Sequence, residues 1–442
     1  MSSLPDPTGP GRWRVALRDR LSRNPAGANV LRMLAGNASA QVLTLAAYPV
    51  LTRLYAPAEI GVLSALSAGM TILAPMASLR LEMALPLSRT VREAGSLLVA
   101  CFIALLLTTA AVTAGLAALP TQWPGDMAAV APYRWFLPLA LFVFGGYVIM
   151  VNEASRRNRF AEIARTRVLQ AFSGPASQIG LGWLGFGTVG LMVGFVIGQG
   201  SGTAGLIWRL LRGENSPLRC WRWASVRAAA LRHRHFALFS SWTGVVSAAS
   251  TYVMTIAFAF IYGPAISGFM FLGERVLMRP LFLISSSILP VYTREVARLG
   301  LSEMDRLPAL FLGVVKKQAL IALAWLLPIG LLAPVVIPWA FGSGWAESAR
   351  YLQVLAIGYF PTSVLHPVLH TLQILRQQKL SALLDVMRSV AVFSAIGLVA
   401  WLGMPPLQAA LVCSLVQAAS QAVVLWITWR KVSSLTTAAR QG

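Results

Sequence analysis

Runs of about twenty mostly apolar residues recur along the whole chain, and few folds can accommodate them. At 1.5 Å per residue, twenty helical residues cross the roughly 30 Å of hydrocarbon in a bilayer, where the backbone must satisfy its own hydrogen bonds. Such runs lie at 33–52, 61–81, 94–118, 133–152, 168–186, 189–208, 236–258, 265–288, 318–340, 351–375, 382–402 and 407–429, six in each half. With 57% hydrophobic and only 12% charged residues, the chain has too little polar surface to face water on all sides. The expected fold is an all-α integral membrane protein of about twelve transmembrane helices. Between Gly182 and Gly190 and between Gly403 and Pro406 the turns are very short, so each flanking pair reads either as two spans or as one long element.

The net charge of +22 belongs to this topology, not to a nucleic-acid surface. With the N-terminus in the cytoplasm, 32 of the 37 Lys and Arg residues fall before the first span, in cytoplasmic loops or in the tail. Only Arg53, Arg134 and Arg350 lie on the other side, and Arg275 and Arg279 fall inside a span. This is the positive-inside pattern; it places both termini in the cytoplasm, where the cations also attract anionic lipid headgroups. The basic residues are scattered over short loops, so no nucleic-acid partner is expected. Residues 1–32 are polar and Arg-rich with no cleavable signal peptide, and the first span acts as the targeting signal. Cys101, Cys220 and Cys413 are far apart, and no disulfide or metal site is expected.

The two halves share a signature. Tyr55-Ala56-Pro57-Ala58-Glu59-Ile60-Gly61 returns 207 positions later as Tyr262-Gly263-Pro264-Ala265-Ile266-Ser267-Gly268. Proline has the φ that opens a helix, and glycine lets another backbone approach in its first turn. A fainter echo pairs Asn158-Arg159-Phe160 with Gln378-Lys379-Leu380. The expected organisation is therefore a cytoplasmic segment 1–32, an N-lobe 33–208, a basic linker 209–235, a C-lobe 236–429 and a tail 430–442, with the lobes related by a pseudo-two-fold axis. Two such lobes rocking about a shared site make transport the first functional hypothesis. The linker mixes Trp221 and Trp223 with Arg212, Arg219, Arg222, Arg227, Arg232 and Arg234, which reads either as an interfacial helix or as a solvated connection.

Enzyme chemistry finds little support. The five aspartates, Asp6, Asp19, Asp126, Asp305 and Asp385, include no Asp-x-Asp. There is no His-Glu-x-x-His, phosphate-binding glycine loop or nucleophile elbow, so no cofactor is expected. A membrane polysaccharide polymerase stays open as an alternative, although the periplasmic loops are short.

The run Pro49 to Gly61, continuing through Ser78-Leu79-Arg80-Leu81-Glu82 to Pro86, resembles the opening of the polysaccharide transporters, as do Asn158 to Gln170 and Phe341 to Leu352. These flippases belong to a superfamily shared with multidrug exporters and lipid II flippases. The resemblance implies movement of an undecaprenyl-pyrophosphate-linked oligosaccharide between leaflets by alternating access, for O-antigen, capsule or exopolysaccharide synthesis, with a polysaccharide polymerase as a further partner. An ion-coupled drug or lipid exporter of the same superfamily is the alternative.

Such a substrate needs cations for its pyrophosphate. Glu274, Arg275 and Arg279 lie within span eight, where a charge is costly unless it faces a bundle interior or a watery cavity. Arg275 and Arg279, at i and i+4, share a face and form either an anion site or, with Glu274, an internal ion pair. Asn37 and Gln41 on span one, Thr243, Ser247 and Thr251 on span seven, and His366 and His370 on span ten form polar stripes that line a sugar path or bond between helices; the histidines also offer a titrating group. Arg53 with Glu59, and Arg80 with Glu82, are candidates for gates at the two membrane faces.

Overall fold

The computed structural model describes residues 25–120, 128–212, 221, 223–299, 304–375 and 377–441, and among them there is no strand. The N-lobe comprises α1 (Pro25–Leu54), α2 (Pro57–Leu73), α3 (Val91–Ala118), α4 (Phe136–Arg156), α5 (Phe160–Trp183) and α6 (Gly187–Gly200). Two shorter helices, α7 (Thr203–Arg212) and α8 (Trp223–Arg232), lead to the C-lobe. That lobe contains α9 (Ser241–Tyr262), α10 (Pro264–Leu299), α11 (Leu307–Phe341), α12 (Ser348–Leu365), the single turn α13 (Thr371–Ile374), α14 (Gln378–Trp401) and α15 (Pro406–Gln441).

Ten stretches are long and apolar enough to cross a membrane, among the described residues. The other two expected spans, 33–52 and 168–186, lie on α1 and α5, which at 30 and 24 residues are also long enough. α5 falls short in hydropathy because it carries Glu162, Arg165 and Arg167 near its start and Gln170, Ser173, Ser177 and Gln178 further along. Several boundaries differ from expectation. α10 and α11 run for 36 and 35 residues, about 54 Å and 52 Å, and so continue well past the expected spans on the side of the chain termini. Their extensions are held by a separate apolar cluster of Tyr292, Val296, Leu299, Leu307 and Phe311 with Leu365 and Val432. α15 likewise continues through the stretch expected as a tail. Of the linker, α8 packs on α3 by burying Val226 and Ala229, with Ser96 Oγ donating to Ser225 at 2.8 Å and Arg232 paired to Glu93 at 3.3 Å. Residues 1–24 and the positions of Arg219, Cys220 and Arg222 lie outside the described residues.

The lobes meet through α2 against α9 and α10, and here the repeated signature acquires its structural meaning. A Cβ added to Gly61 would stand 1.7 Å from the Pro264 carbonyl oxygen, and one added to Gly268 would stand 2.1 Å from that of Pro57. Each copy's glycine therefore receives the other copy's proline carbonyl. Beside this contact the Ser64 and Ser267 hydroxyls are 2.7 Å apart. At its rim Trp345 Nε1 donates to the Thr52 carbonyl at 2.8 Å, and Arg53 donates to the Trp339 carbonyl at 3.2 Å, both across the lobes. The end of the molecule opposite the termini is thus sealed by backbone packing.

α10 is not a uniform rod. Pro280 deprives the Val276 carbonyl of its helical partner, and Trp325 Nε1 of α11 donates to that carbonyl instead at 3.4 Å.

Candidate functional site

Between the lobes, on the terminal side of the glycine seal, lies a cavity of about 500 Å³. Its N-lobe wall comes from α1, α2, α5 and α6 with Phe144 of α4, and its C-lobe wall from α9 and α10. The lining begins at Leu51 and Ile60 near the seal and reaches Ala40, Thr71 and Ser286 toward the termini.

The C-lobe wall holds Glu274, Arg275 and Arg279. Pro280 follows Arg279 directly, and the half-buried arginines line the cavity one turn apart. The Arg275 guanidinium carbon stands 4.5 Å over the Phe271 ring and 5.9 Å from the Tyr48 ring of α1, so the cation is supported on its faces by aromatics. Its Nε has no hydrogen-bond partner among the described residues. Neither arginine is within ion-pair distance of Glu274 or of any other described carboxylate. Of the two sequence-level alternatives for this cluster, the internal ion pair is therefore not what the structure contains. Two planar forks with donors to spare can bind a polyvalent oxyanion.

The N-lobe wall is polar but mostly uncharged. Gln41 and Thr44 of α1 and Ser67 and Thr71 of α2 line it, while Gln170 and Gln178 of α5 are fixed by donating to the Gln199 and Leu191 carbonyls at 2.8 and 3.1 Å. Arg167 stands on the same face of α5. Sequence reasoning missed Arg167, Gln170 and Gln178 as cavity residues. Their signal was spacing: 167, 170, 174 and 178 follow i, i+3, i+7, i+11, one stripe of a helix. The side chain of Asn37 lies outside the described residues.

Other expected site residues lie elsewhere. His366 and His370 do not line the cavity. α12 ends at Leu365, and His366 opens a tight 3₁₀ turn that breaks the expected common face. The His366 ring packs edge-on behind Phe282 at 4.5 Å, and it is Phe282 that reaches the cavity. Thr251 donates to the Ser247 carbonyl of its own helix, and Thr243 to the Phe239 carbonyl in the turn just before α9. Arg53 and Glu59 do not pair. Glu59 accepts from the Ala56 amide at 2.9 Å, closing the first turn of α2, and from Thr188 Oγ1 at 3.0 Å, while Arg53 crosses to the other lobe. Nor do Arg80 and Glu82 form an ion pair. Leu79 and Arg80 both have a φ of 53°, which breaks the helical register after α2. Arg80 then lies against Gly244 of α9, its Nη2 2.6 Å from where a Cβ would be, and Glu82 is buried with Ser78 Oγ donating to its carboxyl. Burial raises the Glu82 carboxyl above the usual carboxylate range, against the lowering effect of the Ser78 hydrogen bond.

A family model described as polysaccharide biosynthesis protein matches residues 50–350. No curated protein matches the sequence. Among solved structures, the lipid II flippase MurJ in an inward closed conformation superposes with a TM-score of 0.69 at 12% identity, covering 91% of this chain and 90% of that one. A multidrug resistance MATE family transporter of the MOP superfamily in an inward-facing conformation gives 0.63 at 15% identity, covering 90% and 96%. An outward-facing structure of a multidrug resistance MATE family transporter gives 0.53 at 16% identity, covering 92% and 95%. The chain has the two-lobed fold of these solved structures, and it belongs to the family of polysaccharide biosynthesis proteins.

Proposed function

We propose that this protein is a flippase that carries a lipid-linked oligosaccharide, joined to its polyprenyl anchor by a diphosphate, from the cytoplasmic to the periplasmic leaflet of a bacterial inner membrane. The observation that carries the reading is the pair Arg275 and Arg279, unpaired among the described residues and exposed to a cavity sealed at one end. A diphosphate supplies the oxyanions the two forks lack. The amides and hydroxyls of Gln41, Thr44, Ser67 and Thr71 on the facing wall are the groups that hydrogen-bond sugars. The cavity lies within the ~300–1,000 Å³ usual for small-ligand sites, which suits the diphosphate and the first sugars, with the lipid tail left in the bilayer. The positive-inside distribution of Lys and Arg makes the open, terminal side the cytoplasmic one, so this conformation is the one that loads.

The test is in cells. Arg275→Gln and Arg279→Gln abolish surface glycan at normal membrane abundance, and Lys at either position restores only part of it because the planar fork is lost. Glu274→Gln, which keeps size and removes the negative charge, leaves transport in place. Normal transport per molecule in Arg275→Gln would refute the anion-site reading.

A further inference from the structure

The linker between the lobes is fastened to one of them. α7 leaves α6 at Gly202, which has a φ of 84° and lies so close to α5 that a Cβ there would stand 2.7 Å from Thr166 Cγ2. This turn folds α7 back onto the N-lobe. Leu206 and Leu210 of α7, with Val226 and Ala229 of α8, then enter the apolar cluster that Leu97, Leu98 and Leu141 build inside that lobe. Polar ties hold the same two helices: Arg209 pairs with Glu162 at 2.9 Å, Ser96 donates to Ser225, and Arg232 pairs with Glu93. The ion pairs are partly exposed and individually weak, so it is the buried apolar side chains that decide which lobe the linker joins.

Just beyond Arg232 the helix changes type. Over Phe236–Ser240 it widens into a π-helical turn, in which the Ser241 amide reaches back to the Phe236 carbonyl. Such a turn holds one residue more than an α-helical turn and is a recognised place for a helix to bend. Its carbonyls also have spare donors: Ser241 Oγ reaches that of Phe236 at 3.2 Å, and Thr243 Oγ1 reaches those of Phe239 and Ser240 at 3.1 Å. When backbone bonds stretch here, the hydroxyls keep the carbonyls satisfied, which lowers the cost of bending. Past the turn, α9 is held by the C-lobe, since Ser250 shares a hydrogen bond with Ser389 of α14 and Ser267 of α10 donates to the Thr255 carbonyl at 3.1 Å. Next to the turn a Cβ on Gly244 would stand 2.8 Å from Pro75 Cβ, so here α9 bears closely on the N-lobe.

We propose that the π-helical turn Phe236–Ser240 is the hinge between the lobes: α7 and α8 travel with the N-lobe, α9 travels with the C-lobe, and Gly244 is the point at which α9 rolls over Pro75. A connection that reads in sequence as a long basic linker thus works as a five-residue joint. The hinge is independent of what the cavity carries, and its test needs no ligand.

The experiment places spin labels in pairs at Ala161, Ala228 and Ser287, exposed positions on the N-lobe, on α8 and on the C-lobe, in full-length protein in lipid nanodiscs with Cys101, Cys220 and Cys413 replaced. The expected distance distribution is narrow for Ala161 with Ala228, and equally broad for Ala161 with Ser287 and for Ala228 with Ser287. Three equally narrow distributions, or a first pair as broad as the second, would overturn the proposal, because the lobes would then not flex or the linker would not move with the N-lobe. Hydrogen exchange of the unaltered protein locates the flexing: amides from Leu238 to Ser241 should exchange roughly tenfold or more faster than those of α8 and α9 on either side. Exchange as slow as in the flanking helices would place the joint elsewhere and overturn the assignment. The double variant Ser241→Ala/Thr243→Ala, which removes the spare donors, should slow exchange in the turn by roughly threefold to tenfold, the worth of one modest hydrogen bond, and narrow the distribution between Ala161 and Ser287. Unchanged exchange and unchanged width in that variant would also overturn the hinge.

Discussion

Replacing Gly61 by alanine tests the seal at its tightest point. The added Cβ would be 1.7 Å from the Pro264 carbonyl oxygen, and real Cβ atoms essentially never approach closer than 3.0 Å, so α2 and α10 must separate locally by at least 1.3 Å. No rotamer change can relieve this, because the atom in the way belongs to the backbone. Overpacking of this kind costs about 1–3 kcal/mol. In a molecule with an alternative conformation in which this end is open, the cost falls only on the sealed state, and 1–3 kcal/mol shifts the balance by roughly fivefold to 150-fold. Gly268→Ala needs a smaller separation, 0.9 Å, since its Cβ would stand 2.1 Å from the Pro57 carbonyl oxygen, and its shift is correspondingly smaller. Gly69→Ala is the control on the same helix, with its nearest neighbour at an ordinary 3.5 Å. Spin labels at Ala58 and Ala346, exposed positions on the two lobes near the seal, report the separation. The expected order of lengthening is Gly61→Ala, then Gly268→Ala, then no change for Gly69→Ala. A Gly61→Ala protein with the original distance distribution and unchanged thermal stability would show that the reciprocal contact does not hold this end shut.

Two further predictions concern charge. Because burial raises the Glu82 carboxyl, the folded protein holds that proton more tightly than the unfolded chain does, so the stabilisation this gives is complete below the ordinary carboxylate range and is lost as pH rises. Glu82→Gln, neutral at every pH, should therefore melt above the unaltered protein at alkaline pH and converge with it in acid; a stability gap independent of pH would contradict the assignment. Reporters fused after Arg157 and at the C-terminus should both show cytoplasm, and one after Pro120 should show periplasm, as the basic-residue distribution requires; a periplasmic signal at Arg157 would invert the whole orientation.

Much of this architecture is written in local pattern. Apolar runs name the spans because the bilayer imposes one length on all of them, and the arginines of span eight announce a polar interior because lipid tolerates them nowhere else. What sequence left hidden depends on partners far along the chain. The helical extension of α10 and α11 past the expected spans is stabilised by Tyr292 and Phe311 meeting Val432, contacts that no local window contains. The histidines of span ten share a face only if the helix continues, and the turn at His366 ends it. Arg53, Glu59, Arg80 and Glu82 were grouped as neighbours in sequence, yet each found another partner, because left-handed residues and interlobe contacts decide where such side chains go. Arg167 was overlooked for the converse reason: a basic residue near a helix start looks like a surface charge until the opposite lobe is in view.

The exchange of glycine and proline between the two signatures has the form of an isologous interface, the kind made when a surface meets its own copy about a two-fold axis, so that if residue i touches residue j, j also touches i. Here both copies are in one polypeptide, which frees each to change as long as the other answers. The departures are already visible at the serine contact, where Ser64 of one half meets Ser267 of the other three residues after one signature glycine and one residue before its counterpart. A dimer of half-length chains, each with a single signature, would close this seam only at sufficient concentration, whereas on one polypeptide the two copies meet independently of concentration with the symmetry of the contact kept.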